Sequence, residues 1–343
     1  MRVHKSNKGL TISINRLPAP INSSTNTTAT TLQKMKSIGK APEFVKKYKL
    51  IKPLGEGGYG AVYLCQNRTT KQLLAVKIMD DANCSNKTWC VKRQEWLPNE
   101  LVLWESLSHP NILNILEVYK DNHQYTWYFV MEYLPGFEDL FMHIDKHRAL
   151  SSRDSAHIIR QLVNVVYYLT LQNIDHRDLK DENILYNPVT KQIKLIDFGS
   201  SAKLSSDPYS YFRGTAVYIP PEYFLTGSYR SFQASVWAIG CISFVLLNGD
   251  CPFNTRKEVQ EFKNMEQLNP TYSERTLRLN FLRSCLDPNP DVRIMLSDLI
   301  RHPWLRRKNV PLLSDSERVR SDESIKHVQN LIACLETVIR KKM

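Results

Sequence analysis

Four stretches of this 343-residue chain carry residue types that handle phosphate. Gly55-Glu-Gly-Gly-Tyr-Gly60 fits G-x-G-x-x-G, in which Gly55, Gly57 and Gly60 let backbone amides approach phosphate oxygens without side-chain obstruction. A dinucleotide-binding turn would open a helix within a βαβ unit. Here Ala61-Val-Tyr-Leu-Cys65 reads as a strand, so the loop is expected to be the bend of a β-hairpin lying over phosphates. Leu74-Ala-Val-Lys77 places a lysine on the next strand, alternating with apolar neighbours. Ile174-Asp-His176-Arg177-Asp178-Leu-Lys180-Asp-Glu-Asn183 then gathers carboxylates, a lysine and an amide, and Asp197-Phe198-Gly199 begins fourteen residues after Asn183. Acids that bind metal or orient a hydroxyl, beside cations that neutralise charge, suit phosphoryl transfer.

The elements that must position these residues change character along the chain. Short β-like runs are expected at 48–54, 61–65, 73–79 and 127–131, interrupted by a helical stretch with Leu101, Trp104 and Leu107 on one face. Beyond about residue 139 helical periodicity dominates, as in Ile158, Leu162, Val165, Val166 and Leu169, with brief strands at 184–186 and 193–196. This is an α+β pattern, a small β-rich lobe followed by a larger helical one, and such lobes leave a ligand-binding cleft. Glu95, Glu100 and Glu105 are all candidates to pair with Lys77.

The formal net charge of +12 resides mainly in the ends. Residues 1–42 hold seven Lys/Arg and no acid, and residues 305–343 hold nine Lys/Arg against five acids, which leaves the middle nearly neutral. No dense basic face for nucleic acid is therefore expected. No run reaches the roughly 20 apolar residues of a membrane span, and the apolar window 237–247 reads as a buried helix. Cysteines at 65, 84, 90, 241, 251, 285 and 334 form no C-x-x-C pair, the pattern of reduced intracellular thiols. The Ser/Thr/Asn-rich segment 1–42 is expected to be a disordered tail. In 305–343, Ile325, Val328, Ile332, Leu335 and Ile339 line an amphipathic helix at about 322–342 that would pack back on the large lobe. The location expected is cytoplasmic and/or nuclear, with mitochondrial import as an alternative suggested by the basic, acid-free N-terminus. A monomer is expected.

Taken in order, the motifs from about residue 48 to Trp304 resemble the signature set of eukaryotic serine/threonine protein kinases. The resemblance implies a two-lobed protein kinase fold over 48–304, with an N-lobe at about 48–133 and a C-lobe at about 134–304. It implies ATP and Mg2+ (or Mn2+) as cofactors and proteins as substrates. Carried over by position, Asp178 orients the substrate hydroxyl, Lys180 steadies the transferred phosphoryl group, and Asn183 and Asp197 hold metal. Lys77 contacts the α- and β-phosphates, and distance from His109-Pro110-Asn111 favours Glu100 as its partner. Leu54, Val62 and Ala75 would frame the nucleotide with the glycines. Met131 resembles the residue behind the adenine, and Glu132 and Leu134 would offer backbone groups to its edge. Lys180 and Thr215 resemble serine/threonine rather than tyrosine kinases. Glu222 and Arg293 would form a structural ion pair. A pseudokinase scaffold is the alternative function, opposed by the presence of Lys77, Asp178, Asn183 and Asp197.

Lys180-Asp-Glu-Asn183, Asp139-Leu-Phe141 and Val236-Trp237 resemble PIM and PAS-domain kinases of the calmodulin-kinase-like group. Pro220-Pro221-Glu222 stands where most kinases have Ala-Pro-Glu. Ser235 stands where most carry an aspartate that anchors the catalytic-loop backbone, so the resemblance does not supply that anchor here. Tyr211, beside Ser210, occupies the usual activating-phosphate position, so activity is expected to need no activating phosphorylation. Glu138, Asp139, Asp181, Glu182 and Asp250 would rim the peptide groove and favour basic residues N-terminal to the acceptor, in a signalling role.

Overall fold

The structure, a computed structural model, describes residues 42–57, 60–84, 87–90, 93–212, 214–268 and 276–306. The expected N-terminal tail and C-terminal amphipathic helix lie outside the described residues. The chain divides into two compact units, Met1–Asn83 with Val118–Val130, and Cys84–Glu117 with Met131–Met343.

In the first unit a short helix, α1 (Pro42–Lys47), leads into β1 (Tyr48–Gly57), β2 (Gly60–Asn67) and β3 (Leu73–Asp80). β1 pairs antiparallel with β2, and β2 with β3. The sheet is completed in the order β1-β2-β3-β7-β6 by β6 (Ile115–Asp121) and β7 (Thr126–Glu132). Because successive strand residues point to opposite faces, Tyr63 and Cys65 of β2 and Leu74, Val76 and Ile78 of β3 reach one buried cluster. Phe44 of α1 closes that cluster, stacked at 5.3 Å on Tyr48 and 4.8 Å on Tyr128. The 48–54, 61–65, 73–79 and 127–131 runs are thus strands, each somewhat longer than its apolar signal.

The second unit opens with a hairpin that sequence periodicity did not reveal, β4 (Lys87–Cys90) against β5 (Glu95–Pro98). Four-residue strands offer too few alternations to register. Trp89 and Trp96 meet across it at 5.8 Å. α2 (Asn99–Trp104) is shorter than the expected helix, because the chain tightens into i→i+3 bonds at Ser106 and Leu107. β8 (Glu138–Asp139) leads into α3 (Leu140–His147). α4 (Ser152–Leu171) begins at Ser151, whose hydroxyl accepts from the Asp154 amide, and turns Ile158, Leu162, Val165 and Leu169 inward. β9 (Ile174–Asp175), β10 (Ile184–Tyr186), β11 (Ile193–Leu195) and β12 (Ala202–Lys203) are short and brace the loops between them. β9 pairs with β12, and β10 lies between β8 and β11.

α5 (Pro221–Thr226) precedes α6 (Ser231–Asn248), the central helix of this unit. By length and composition α6 could cross a membrane, but 89% of it is buried within the protein, so no membrane span is indicated. Trp237 stacks on Phe253 at 5.6 Å. α7 (Arg256–Glu261), α8 (Leu277–Cys285) and α9 (Leu296–Leu299) surround it. Trp304 is tied to Ser152 by its indole N–H at 3.0 Å, so the chain returns to the start of α4.

Candidate active site

The glycine-rich loop is a hairpin bend. Gly57 pairs with Gly60 across β1 and β2, and the residue after Gly60 continues a strand, which rules out the dinucleotide-type turn. Gly60 has φ +142°, and a Cβ there would lie 2.4 Å from the carbonyl oxygen of Ile78. Only glycine fits. Val62 pairs directly with Lys77 on β3, and Ala75 pairs with Leu64. Leu54 is exposed, whereas Ala75 is buried.

The catalytic string forms a tight loop between β9 and β10. The Asn183 side-chain amide donates to the Asp178 carbonyl at 2.8 Å and to the Asp178 carboxylate at 3.1 Å. Lys180 Nζ lies 3.3 Å from the same carboxylate and donates to Thr215 Oγ1 at 3.0 Å. The Thr215 amide donates to the other Asp178 oxygen at 3.3 Å. One carboxylate is therefore oriented by a lysine, an amide side chain and a backbone N–H from three positions. Gly214, at φ +147°, lets the chain pass, since a Cβ would sit 3.1 Å from Asp178 Oδ1. Burial opposes the charge on Lys180, but Asp178 and Glu182 outweigh it and hold its ammonium above its ordinary pKa.

Asp197 lies on the neighbouring turn with φ +64°, a conformation uncommon outside glycine. The Ile196 amide donates to the Asn183 carbonyl at 3.0 Å, which couples the two expected metal ligands through the backbone. Phe198 is fully buried against Trp104 at 5.6 Å and His176 at 5.0 Å. Glu100 is buried on α2, with Oε2 3.7 Å from where a Cβ on Gly199 would stand. Its rivals are placed differently: Glu105 is engaged by Arg93, and Glu95 sits on β5.

Met131 is buried at the end of β7. The Glu132 amide is committed to the Asn114 carbonyl, and its carboxylate binds Lys194 at 2.8 Å. In the activation segment, Ser210 and Tyr211 are exposed. Arg177 donates to the Tyr211 carbonyl at 2.9 Å and stands 4.4 Å over the Tyr209 ring. Tyr209 gave no signal in the sequence, because nothing in its spacing ties it to Arg177.

The groove acids separate. Asp181 is a correction: only 3% exposed, it accepts from the Tyr218 hydroxyl at 2.8 Å and braces the loop instead of rimming a peptide surface. Glu138 lies 2.7 Å from His143 Nδ1, Glu182 pairs with Lys180 at 3.4 Å, and Asp250 is exposed. Asp139 caps α3, accepting from the Met142 amide at 3.2 Å. Burial lifts its carboxyl from 3.8 to about 7, although the Met142 and Phe141 amides pull it down. Between those values the native state holds more proton than the unfolded chain, so this group makes stability fall as pH rises. Asp139→Asn keeps the cap and removes the titration. The melting temperature of the variant relative to wild type should rise between about pH 5 and pH 8; parallel profiles would contradict this.

Arg293 is buried, with a bidentate pair to Glu222 at 2.9 and 2.8 Å and further bonds to the carbonyls of Gln233 and Asp287. It also lies 5.1 Å over the Trp237 ring.

Comparison with known proteins agrees with this geometry. The family profile described as "Protein kinase domain" matches residues 48–305. The chain is 30% identical to "Serine/threonine-protein kinase pim-2" of Danio rerio, over 81% of this chain and 91% of that protein. It is 32% identical to "Serine/threonine-protein kinase prk-2" of Caenorhabditis elegans, over 78% of this chain and 60% of that protein. It is also 32% identical to "PAS domain-containing serine/threonine-protein kinase" of Mus musculus, over 77% of this chain but 19% of that protein. Calmodulin-kinase-like relatives include a CBL-interacting protein kinase from rice, Oryza sativa subsp. japonica, at 31% identity. A glycine-bent hairpin, an aspartate gripped by lysine, asparagine and threonine, and a profile spanning most of the chain converge on one conclusion: the chain belongs to the protein kinase family and is a protein serine/threonine kinase.

Proposed function

We propose that this kinase transfers the γ-phosphoryl group of ATP, with magnesium or manganese, to serine and threonine hydroxyls preceded by basic residues, in intracellular signalling. The observation that carries the reading is the fixed Asp178 carboxylate, bounded by Lys180, Asn183 and Thr215. Asp178 accepts the hydroxyl proton or holds it in line for attack. Lys180, bridging Asp178 and Thr215, places positive charge where the migrating group's oxygens gather negative charge. Lys77, with Glu100 as its partner, would secure the α- and β-phosphates, and the glycine loop would cover them. Glu132, through its carbonyl, and Leu134 would position adenine.

Asn183 and Asp197 fit a divalent ion: they offer hard oxygen donors, and the Asn183 amide nitrogen is already turned toward Asp178. When bound, the metal neutralises phosphate charge. No other residue is needed as a protein ligand, because magnesium takes one or two carboxylate or amide oxygens and completes its shell with phosphates and water.

For the substrate, Glu138, Asp139, Glu182 and Asp250 remain as acidic candidates; Asp181 is withdrawn by its burial. Arg177, engaged by the Tyr211 carbonyl and the Tyr209 ring, supports activity without an activating phosphate. The thiol pattern and near-neutral core favour the cytoplasm and/or nucleus. A positional-scanning peptide library phosphorylated by phosphatase-treated protein tests both features. Enrichment of Arg or Lys before the acceptor is expected. A flat profile would remove the basic preference, and near-complete loss of activity after phosphatase would remove the phosphate-independent state.

A further inference from the structure

Asp175 is a buried carboxylate that the chemistry above does not use. It lies on β9, paired with Ala202 of β12, and is 5% exposed. Its Oδ1 accepts from the Arg177 amide at 3.3 Å. Ser231, in the first turn of α6, shares a small cavity with Asp175. Ser235 follows one turn later, and Ser231, Ser235, Asp175, Arg177 and Asp178 line one small cavity between α6 and the catalytic loop. Position 235 is where most kinases carry the aspartate that anchors this loop, and the helix here presents only a hydroxyl.

We propose that Asp175 is a positioning residue that supplies, from the loop side, the anchoring carboxylate that α6 lacks at Ser235. The need for an anchor is visible in the backbone. Arg177 has φ +65°, a left-handed conformation that a long side chain adopts only when its surroundings impose it. Asp175 grips the amide of that same residue, and Asp178 is the next along the chain. Holding Arg177 therefore sets where the Asp178 carboxylate points. The first turn of α6, whose N-cap Arg230 makes no side-chain cap bond, is the positive end of the helix dipole, a setting in which a carboxylate is favoured. Burial pushes the Asp175 carboxyl up, while the Ser231 hydroxyl and the Arg177 guanidinium pull it down. The anchoring carboxylate thus stands on the loop side, at Asp175, and the helix side carries serines at 231 and 235.

This inference rests on the phosphoryl-transfer reading, and the test separates the two. Wild type, Asp175→Val, Ser235→Asp and the Asp175→Val/Ser235→Asp double variant are compared for kcat and KM with ATP and one peptide, alongside their melting temperatures. Wild-type protein that transfers nothing would remove the transfer reading itself. With active wild type, Asp175→Val should lower kcat about 10- to 100-fold with both KM values within about 2-fold, because misplacement of the reacting group costs rate more than binding. Adding Ser235→Asp should return kcat to within about 3-fold of wild type. A merely structural role would not be rescued by a carboxylate placed on the facing helix. Asp175→Val with unchanged kcat would overturn the proposal. So would a double variant that recovers neither kcat nor, where Asp175→Val fails to fold, the melting transition.

Discussion

Replacing Asp178 by Asn should lower kcat for peptide phosphorylation by about 10²- to 10⁴-fold, with the melting temperature almost unchanged, because a positioned proton acceptor contributes on that scale. The geometry makes this substitution clean. Asparagine can still accept from the Thr215 amide through its remaining oxygen, and the Asn183 side chain keeps its bond to the backbone carbonyl of residue 178, so the loop keeps most of its hydrogen bonds. What disappears is the negative charge facing Lys180 and the capacity to take a proton. The pair is partly exposed, so its loss alone costs little stability. Rates from initial-velocity kinetics and a melting curve on the same preparation distinguish chemistry from folding. A rate within tenfold of wild type would mean that Asp178 is not the group that orients the acceptor.

The largest effect on stability is expected at Arg293. Its guanidinium is 1% exposed and binds Glu222 through both terminal nitrogens, with carbonyl partners on two further segments. Arg293→Ala leaves Glu222, itself buried, without its counter-charge, and breaking one side of a buried pair costs about 3–5 kcal/mol. For a domain of this size that is a fall in melting temperature on the order of 10 °C. Arg293→Lys should recover little of it, since an ammonium cannot reproduce the two parallel bonds. Differential scanning calorimetry checks both variants, and a shift below about 3 °C for Arg293→Ala would contradict the structural role.

The parts of the site that were legible in the sequence are those whose chemistry is contiguous. Asp178, Lys180 and Asn183 occupy one loop, so their spacing alone places them together. The glycine loop could be separated from a dinucleotide turn because the alternation in 61–65 extends into β2. Information carried by distant pairs was not legible. Asp181 looks like its neighbour Glu182 in the sequence, yet Tyr218, 37 residues away, buries and binds it. Arg177 gives no sign in the sequence of its partners, because Tyr209 and Tyr211 return to it through a loop with no periodic signal. β4 and β5 were missed because strands of four residues carry too little pattern, although Trp89 and Trp96 hold them in register. The serine at 235 could be read as a departure in the sequence, but the Asp175 carboxylate beside the start of α6 could not, because β9 and α6 lie far apart along the chain.

Phosphoamino-acid analysis of a broad peptide library incubated with purified protein and labelled ATP is the most direct measurement. Label on serine and threonine, abolished by chelating divalent metal and by Asp178→Asn, is the predicted result. No transfer to any peptide, or phosphotyrosine as the main product, would contradict it.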